Sequence, residues 1–157
     1  MPTILVLLGW RLFFYANEGN EPIHVHCRKG DIECKYWIDV DNFDIQEAYS
    51  YGMTPRDKKE IRKIIFQHFD YIGLHSRTMA RISNEALGMN KLHQVEDVNI
   101  ENGILSINID GKVIQRNLKD ISGLLERAKS EELNEFDISP SGYGIYWPLI
   151  DEDISID

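Results

Sequence analysis

Two histidines one residue apart, His24 and His26, lie in the stretch NEPIHVHCRKGDIECKYWID (residues 20–39) beside Arg28, Lys35 and two cysteines, Cys27 and Cys34. Imidazole changes charge near neutral pH without special help and is also the commonest metal-binding side chain. The stretch reads in three ways. In the first, His24 and His26 act as base and acid on either side of a phosphodiester, and Lys35 or Arg28 stabilises the developing negative charge, so that the catalytic set is His24, His26 and Lys35. In the second, the pair supplies two ligands to a metal ion, with Glu33 as a third. In the third, the histidines are surface or interface residues, hydrogen-bonded or stacked on Trp37, and the basic edge, with Arg28, docks against something acidic.

These side chains need a hairpin to hold them. A turn centred on Gly30 and Asp31 places Cys27 opposite Cys34, Val25 opposite Tyr36 and Ile23 opposite Ile38, one coherent apolar face that a slip of one residue would mix. The other face then carries His24 across from Trp37, His26 across from Lys35 and Arg28 across from Glu33. In this register the thiols point away from the imidazoles and read as small buried hydrophobes. A structural zinc needs four ligands, and Glu33 sits diagonally, beside Arg28.

Around the hairpin, TILVLL, RLFFYA, IHVHC and IECKYWIDV predict an antiparallel meander. Thr54 as N-cap, Pro55 at the first helical position and Asp57 three residues after the cap open a helix, with Ile61, Ile64, Ile65, Phe69 and Ile72 on one face and Gly73 as its stop or kink. The pattern blurs from Leu74 to Leu92, and the domain boundary is placed near residue 85. Beyond it, VEDVNI, ILSINI and KVIQRNL predict three strands joined by Asn-Gly and Asp-Gly turns. An amphipathic helix follows from near Asp120, then a short strand at Gly144 to Trp147 and an acidic tail.

Composition bounds the classes. With 43% hydrophobic and 27% charged residues in 157, usage is globular rather than disordered or membrane-embedded. No basic residue precedes the opening apolar run, so no signal peptide is expected, and no stretch reaches the roughly 20 apolar residues of a spanning helix. The expectation is a cytoplasmic protein with reduced thiols, no membrane association and no cofactor. Net charge −9 speaks against DNA as a partner, since phosphate binding requires a basic face. The charge is uneven: residues 1–85 hold 11 Lys and Arg against 12 Asp and Glu, net −1, whereas residues 86–157 hold 6 against 14, net −8.

Other features carry less chemistry. Arg56, Lys58, Lys59, Arg62 and Lys63 are diluted by Asp57 and Glu60 and read as a solvated helix face. Tyr143, Tyr146 and Trp147 read as packing or partner-binding aromatics. Asp151, Glu152 and Asp153 lack the spacing of a calcium loop.

Met1 to Ile4, Tyr15, Pro22, His24, His26 and Gly30 give the first half a pattern that resembles the bacterial domain of unknown function 4160, departing from it at Ile23. In the second half, Asp110, Gly111, Ser139, Pro140, Gly142, Gly144, Ile145, Trp147, Pro148, Asp151, Glu152 and Asp153 form a pattern similar to domain of unknown function 2442. Genes of the two families often stand side by side and have been discussed as toxin–antitoxin-like pairs, so the resemblance implies halves that work together. The expected architecture is α+β: two small domains, 1–85 and 86–157, each an antiparallel sheet packed against one main helix. The expected function is a toxin–antitoxin-type module in one chain, with RNA as a substrate of the first domain and either the second domain or a separate protein as its partner. The alternatives are a non-catalytic interaction protein and a metal-binding protein using the His-x-His strand.

Overall fold

The computed structural model of the chain describes residues 3–18, 21–77 and 93–156. Within these the chain forms two compact units, one of residues 3–14 and 18–77, the other of residues 15–17 and 93–156. The boundary expected near residue 85 lies outside the described residues. Of the stretch from Leu74 to Leu92, residues through 77 are helical and 78–92 lie outside.

The first unit is a five-stranded antiparallel meander in sequence order: β1 (Thr3–Leu7), β2 (Trp10–Phe13), β3 (His24–Lys29), β4 (Ile32–Asp39) and β5 (Asp44–Tyr51). The β3–β4 register is the one expected from a turn at Gly30, with Cys27 opposite Cys34, Val25 opposite Tyr36, His26 opposite Lys35 and His24 opposite Trp37. One face packs Trp10, Leu12, Val25, Cys27, Cys34, Tyr36 and Ile38 against Ile61, Ile64, Ile65, Phe69 and Ile72. Those last residues belong to α1 (Pro55–Gln67) and α2 (Phe69–Arg77). Thr54 Oγ1 accepts from the Asp57 amide while the Asp57 carboxylate accepts from the Thr54 amide, which satisfies donors that a helix start otherwise leaves open. The break falls at His68, which caps α1, and not at Gly73, which lies inside α2.

The second unit holds two three-stranded antiparallel sheets. One runs β6 (Val95–Glu101), β7 (Ile104–Ile109), β8 (Lys112–Asn117). Its turns carry Asn102-Gly103 and Asp110-Gly111 with positive φ at all four residues, the backbone that a two-residue hairpin of right-handed twist requires. Leu105, Ile107 and Ile109 are buried with Ser106 and Asn108 between them, as the alternation predicts. The helix expected from Asp120 is instead three short pieces, α3 (Leu118–Ile121), α4 (Gly123–Arg127) and α5 (Ser130–Asn134). Ser122 is extended, and its hydroxyl accepts from the amides of Leu124 and Leu125, so it ends one turn and caps the next.

The other sheet, in the order β11-β10-β9, is built from β9 (Asp137–Ile138), β10 (Gly144–Trp147) and β11 (Glu152–Ser155). The stretch expected as an acidic tail is thus a strand whose four residues are all buried. Residues 15–17 bind along it. The Ala16 amide donates to the Asp153 carbonyl (2.8 Å), Asn17 Nδ2 donates to the Ser155 carbonyl (2.7 Å), and the Ser155 amide donates to Asn17 Oδ1 (2.6 Å).

Burial pushes the Glu152 carboxyl up, against hydrogen bonds from the Ser122 hydroxyl and the Asp153 amide. A folded-state pKa above the unfolded one gives stability that is full below the unfolded pKa and lost as pH rises through the folded one. Glu152→Gln is therefore expected to raise the urea midpoint at pH 7, with the gain over the parent vanishing by about pH 4, the ordinary carboxylate range.

Among the described residues no helix is long and apolar enough to cross a membrane.

Candidate functional site

The face of β3 and β4 that carries the histidines is not open to solvent. His24 is 7% exposed, His26 1% and Lys35 4%. The groups that meet them are Glu18, itself buried, and Glu21, both from the segment that leads into β3.

One carboxylate oxygen, Glu18 Oε2, stands 2.6 Å from His26 Nε2 and 3.1 Å from His24 Nε2. His24 Nδ1 lies 2.8 Å from the Pro22 carbonyl oxygen. A carbonyl only accepts, so the contact puts a proton on His24 Nδ1 and leaves Nε2 as the ring nitrogen that faces Glu18. Lys35 makes its ion pair with Glu21, lies 3.8 Å from Glu18 Oε1 and sits 4.5 Å over the Trp37 ring. The two imidazoles meet edge to face with centroids 5.1 Å apart; His24 also packs edge-on to Trp37 at 5.6 Å, and His26 stacks on Phe13 at 5.6 Å.

Burial drives the His26 pKa down to about 4, with Glu18 opposing. Burial would raise the Glu18 carboxyl, but His26, the hydrogen bonds from both imidazoles and the Lys35 ammonium together hold it well below the usual carboxylate range. Near neutral pH the cluster is an ionised carboxylate facing a neutral His26, with one ammonium nearby.

The remaining expected residues divide. Trp37 belongs to the cluster. Arg28 pairs across the strands with Glu33, and its Nε donates to the Gly30 carbonyl in the turn (3.2 Å), so the structure does not bring it to the imidazoles. Cys27 and Cys34 are buried on the opposite face, and burial pushes the Cys27 thiol well up, away from thiolate chemistry. The carboxylate that groups with both imidazoles is Glu18, not the Glu33 weighed as a third metal ligand. Sequence reading missed Glu18 and Glu21, which lie between the predicted strands RLFFYA and IHVHC. A carboxylate in a loop six and eight residues before the two histidines was the signal available.

In the second unit, Trp147 is fully buried with its Nε1 donating to the Leu133 carbonyl (3.1 Å), and Tyr143 is buried against Tyr15 at 5.6 Å. Tyr146 is half-buried, its hydroxyl 3.5 Å from Asp151 Oδ1. Of the three aromatics read as packing or partner-binding residues, Trp147 and Tyr143 lie in packed surroundings.

A cleft of 520 Å³ in the first unit is lined by Pro22, Ile23, Trp37, Val40 and the carboxylates Asp39, Asp41 and Asp44, among others. It reaches the cluster's outer wall at Pro22 and Trp37.

A family model described as Domain of unknown function (DUF4160) matches residues 9–73, and one described as Protein of unknown function (DUF2442) matches residues 95–157. No curated protein and no solved structure matches the chain.

Proposed function

This chain joins a member of the DUF4160 family to a member of the DUF2442 family, and from that premise we propose that it works as a cytoplasmic regulatory pair of toxin–antitoxin type. The first domain acts by binding a partner, and the acidic second domain restrains it. The acid is concentrated in the second domain, net −8 over residues 86–157 against −1 over residues 1–85, which supports giving the restraining role to that domain as the one able to meet a cationic patch.

Binding is favoured over cleavage by one observation, the closure of the polar cluster. His24, His26 and Lys35 are each less than a tenth exposed, and Glu18 occupies the Nε2 side of both imidazoles. A general base must come within hydrogen-bond reach of the proton it takes, and a phosphodiester entering here would meet the Glu18 carboxylate first. The second reading, RNA cleavage with His24 and His26 as acid and base and Lys35 stabilising charge, rests on the paired imidazoles and requires Glu18 to swing away.

The test expresses residues 1–90 alone, beside the full chain and the His24→Gln/His26→Gln fragment, with the folding of each checked by circular dichroism. The expected result is growth arrest by the folded fragment, relief in the full chain, and arrest that persists in the double variant with cellular RNA intact. A folded fragment that leaves growth unchanged overturns the pair reading. RNA cleavage that disappears in the double variant replaces binding by catalysis.

A further inference from the structure

We propose that Glu18, His24 and His26 form a binding site for one divalent transition-metal ion, zinc above all. The inference goes beyond the regulatory reading and does not depend on it.

The donor geometry is the first argument. The ligand atoms of the three residues lie within 4.8 Å of one another, and all three residues are buried. Two ligands bound to one zinc at about 2.0–2.2 Å in tetrahedral array stand about 3.3 Å apart. His24 Nε2 is already 3.1 Å from Glu18 Oε2, and His26 Nε2 is 2.6 Å from the same oxygen. On the carboxylate side the His26 contact must widen by about 0.7 Å, from 2.6 Å to about 3.3 Å.

Ring orientation is the second. The Pro22 carbonyl accepts from His24 Nδ1 (2.8 Å), so the other ring nitrogen, Nε2, is the one turned toward Glu18. The backbone carbonyl on the far nitrogen is the outer-shell contact that orients metal-binding histidines and raises their basicity.

Charge is the third. Glu18 and Glu21 both face the Lys35 ammonium, which makes its ion pair with Glu21 and sits over the Trp37 ring. The acidic cleft carrying Asp39, Asp41 and Asp44 borders the cluster at Pro22 and Trp37 and places potential favourable to a cation on that side.

The ligand types select the ion. Two imidazoles with one carboxylate suit zinc and its first-row neighbours, whereas calcium takes six to eight oxygens and magnesium an octahedral, largely oxygen shell. Three protein ligands leave a fourth position for water or an exogenous group, as in open zinc sites. Cys27 and Cys34 face away and take no part.

The test uses the full chain, free of any affinity tag and stripped with a chelator, titrated with zinc chloride against a chromophoric competitor. One equivalent is expected to bind, with X-ray absorption showing imidazole nitrogens at about 2.0–2.1 Å. His24→Ala, His26→Ala and Glu18→Gln are each expected to weaken binding by more than the roughly 10–100-fold that loss of an outer-shell partner costs. His75→Ala, at an exposed helical position, should leave it unchanged. Glu18→Gln keeps size and shape, so it decides the matter if the alanine variants fail to fold. Absence of saturable binding, or one-equivalent binding that survives Glu18→Gln, overturns the site.

Discussion

Replacing Gly142 by alanine is expected to lower the melting temperature of the second unit by roughly 8 to 40 °C. Gly142 has φ +73°, and a Cβ there would stand 2.8 Å from the carbonyl carbon of His93 and closer still to its oxygen. The clash is with backbone, which cannot rotate aside as a side chain can. The two segments are also tied together, since the His93 amide donates to the Ser141 carbonyl (3.0 Å), while the Gly142 amide is held inside its own turn by the Ser139 carbonyl (2.8 Å). Left-handed backbone costs an ordinary residue about 1–2 kcal/mol, and overpacking adds about 1–3 kcal/mol. At about 4–8 °C per kcal/mol for a domain of this size, the two together give the range above. Gly111→Ala is the control: its φ is +82°, but nothing lies within 4 Å of the added Cβ, so it bears only the smaller backbone cost. Thermal denaturation followed by circular dichroism separates them, and equal losses at the two positions would contradict the steric account.

Truncating Trp147 to alanine is expected to cost the second unit about 3–5 kcal/mol, the range for deleting a large buried aromatic. The ring packs in a core with Leu105, Ile107, Leu125, Ile145 and Ile154, and the Leu133 carbonyl that accepts from its indole N–H loses that donor. Trp147→Phe keeps much of the volume and forfeits the hydrogen bond, a loss of about 1 kcal/mol. Urea denaturation of both variants measures the difference. A Trp147→Ala chain that stays as stable as the parent would return Trp147 to the role of a partner-binding anchor.

The hairpin was legible because strand side chains alternate strictly and a glycine turn fixes where the alternation folds back. Every pair from His24 opposite Trp37 to Arg28 opposite Glu33 follows from those two facts. Alternation says nothing of what lies over the polar face, however, so burial of His24 and His26 was out of reach, and Glu18 enters from a loop with no periodicity of its own. β5 was hidden for a related reason. Its pairing with β4 shifts between Lys35 and Tyr36, and the burial pattern along DIQEAYSY loses its period of two. In β11 the letters themselves mislead: Glu152 and Asp153 look solvated, yet Glu152 is held by the Ser122 hydroxyl and Ile154 drops into the core.

Residues 15–17 leave the ribosome well before the strand they bind. Asn17 and Ser155 are separated by 138 positions, which at about 5–20 residues per second is roughly 7 to 28 s of synthesis. Tyr15, which finishes 3% exposed, spends that interval without Tyr143 and β11. The second unit therefore closes only after β11 has been made, and a message cut short before Glu152 yields a nascent chain whose earlier segment never finds its place, a natural target for chaperones and proteases.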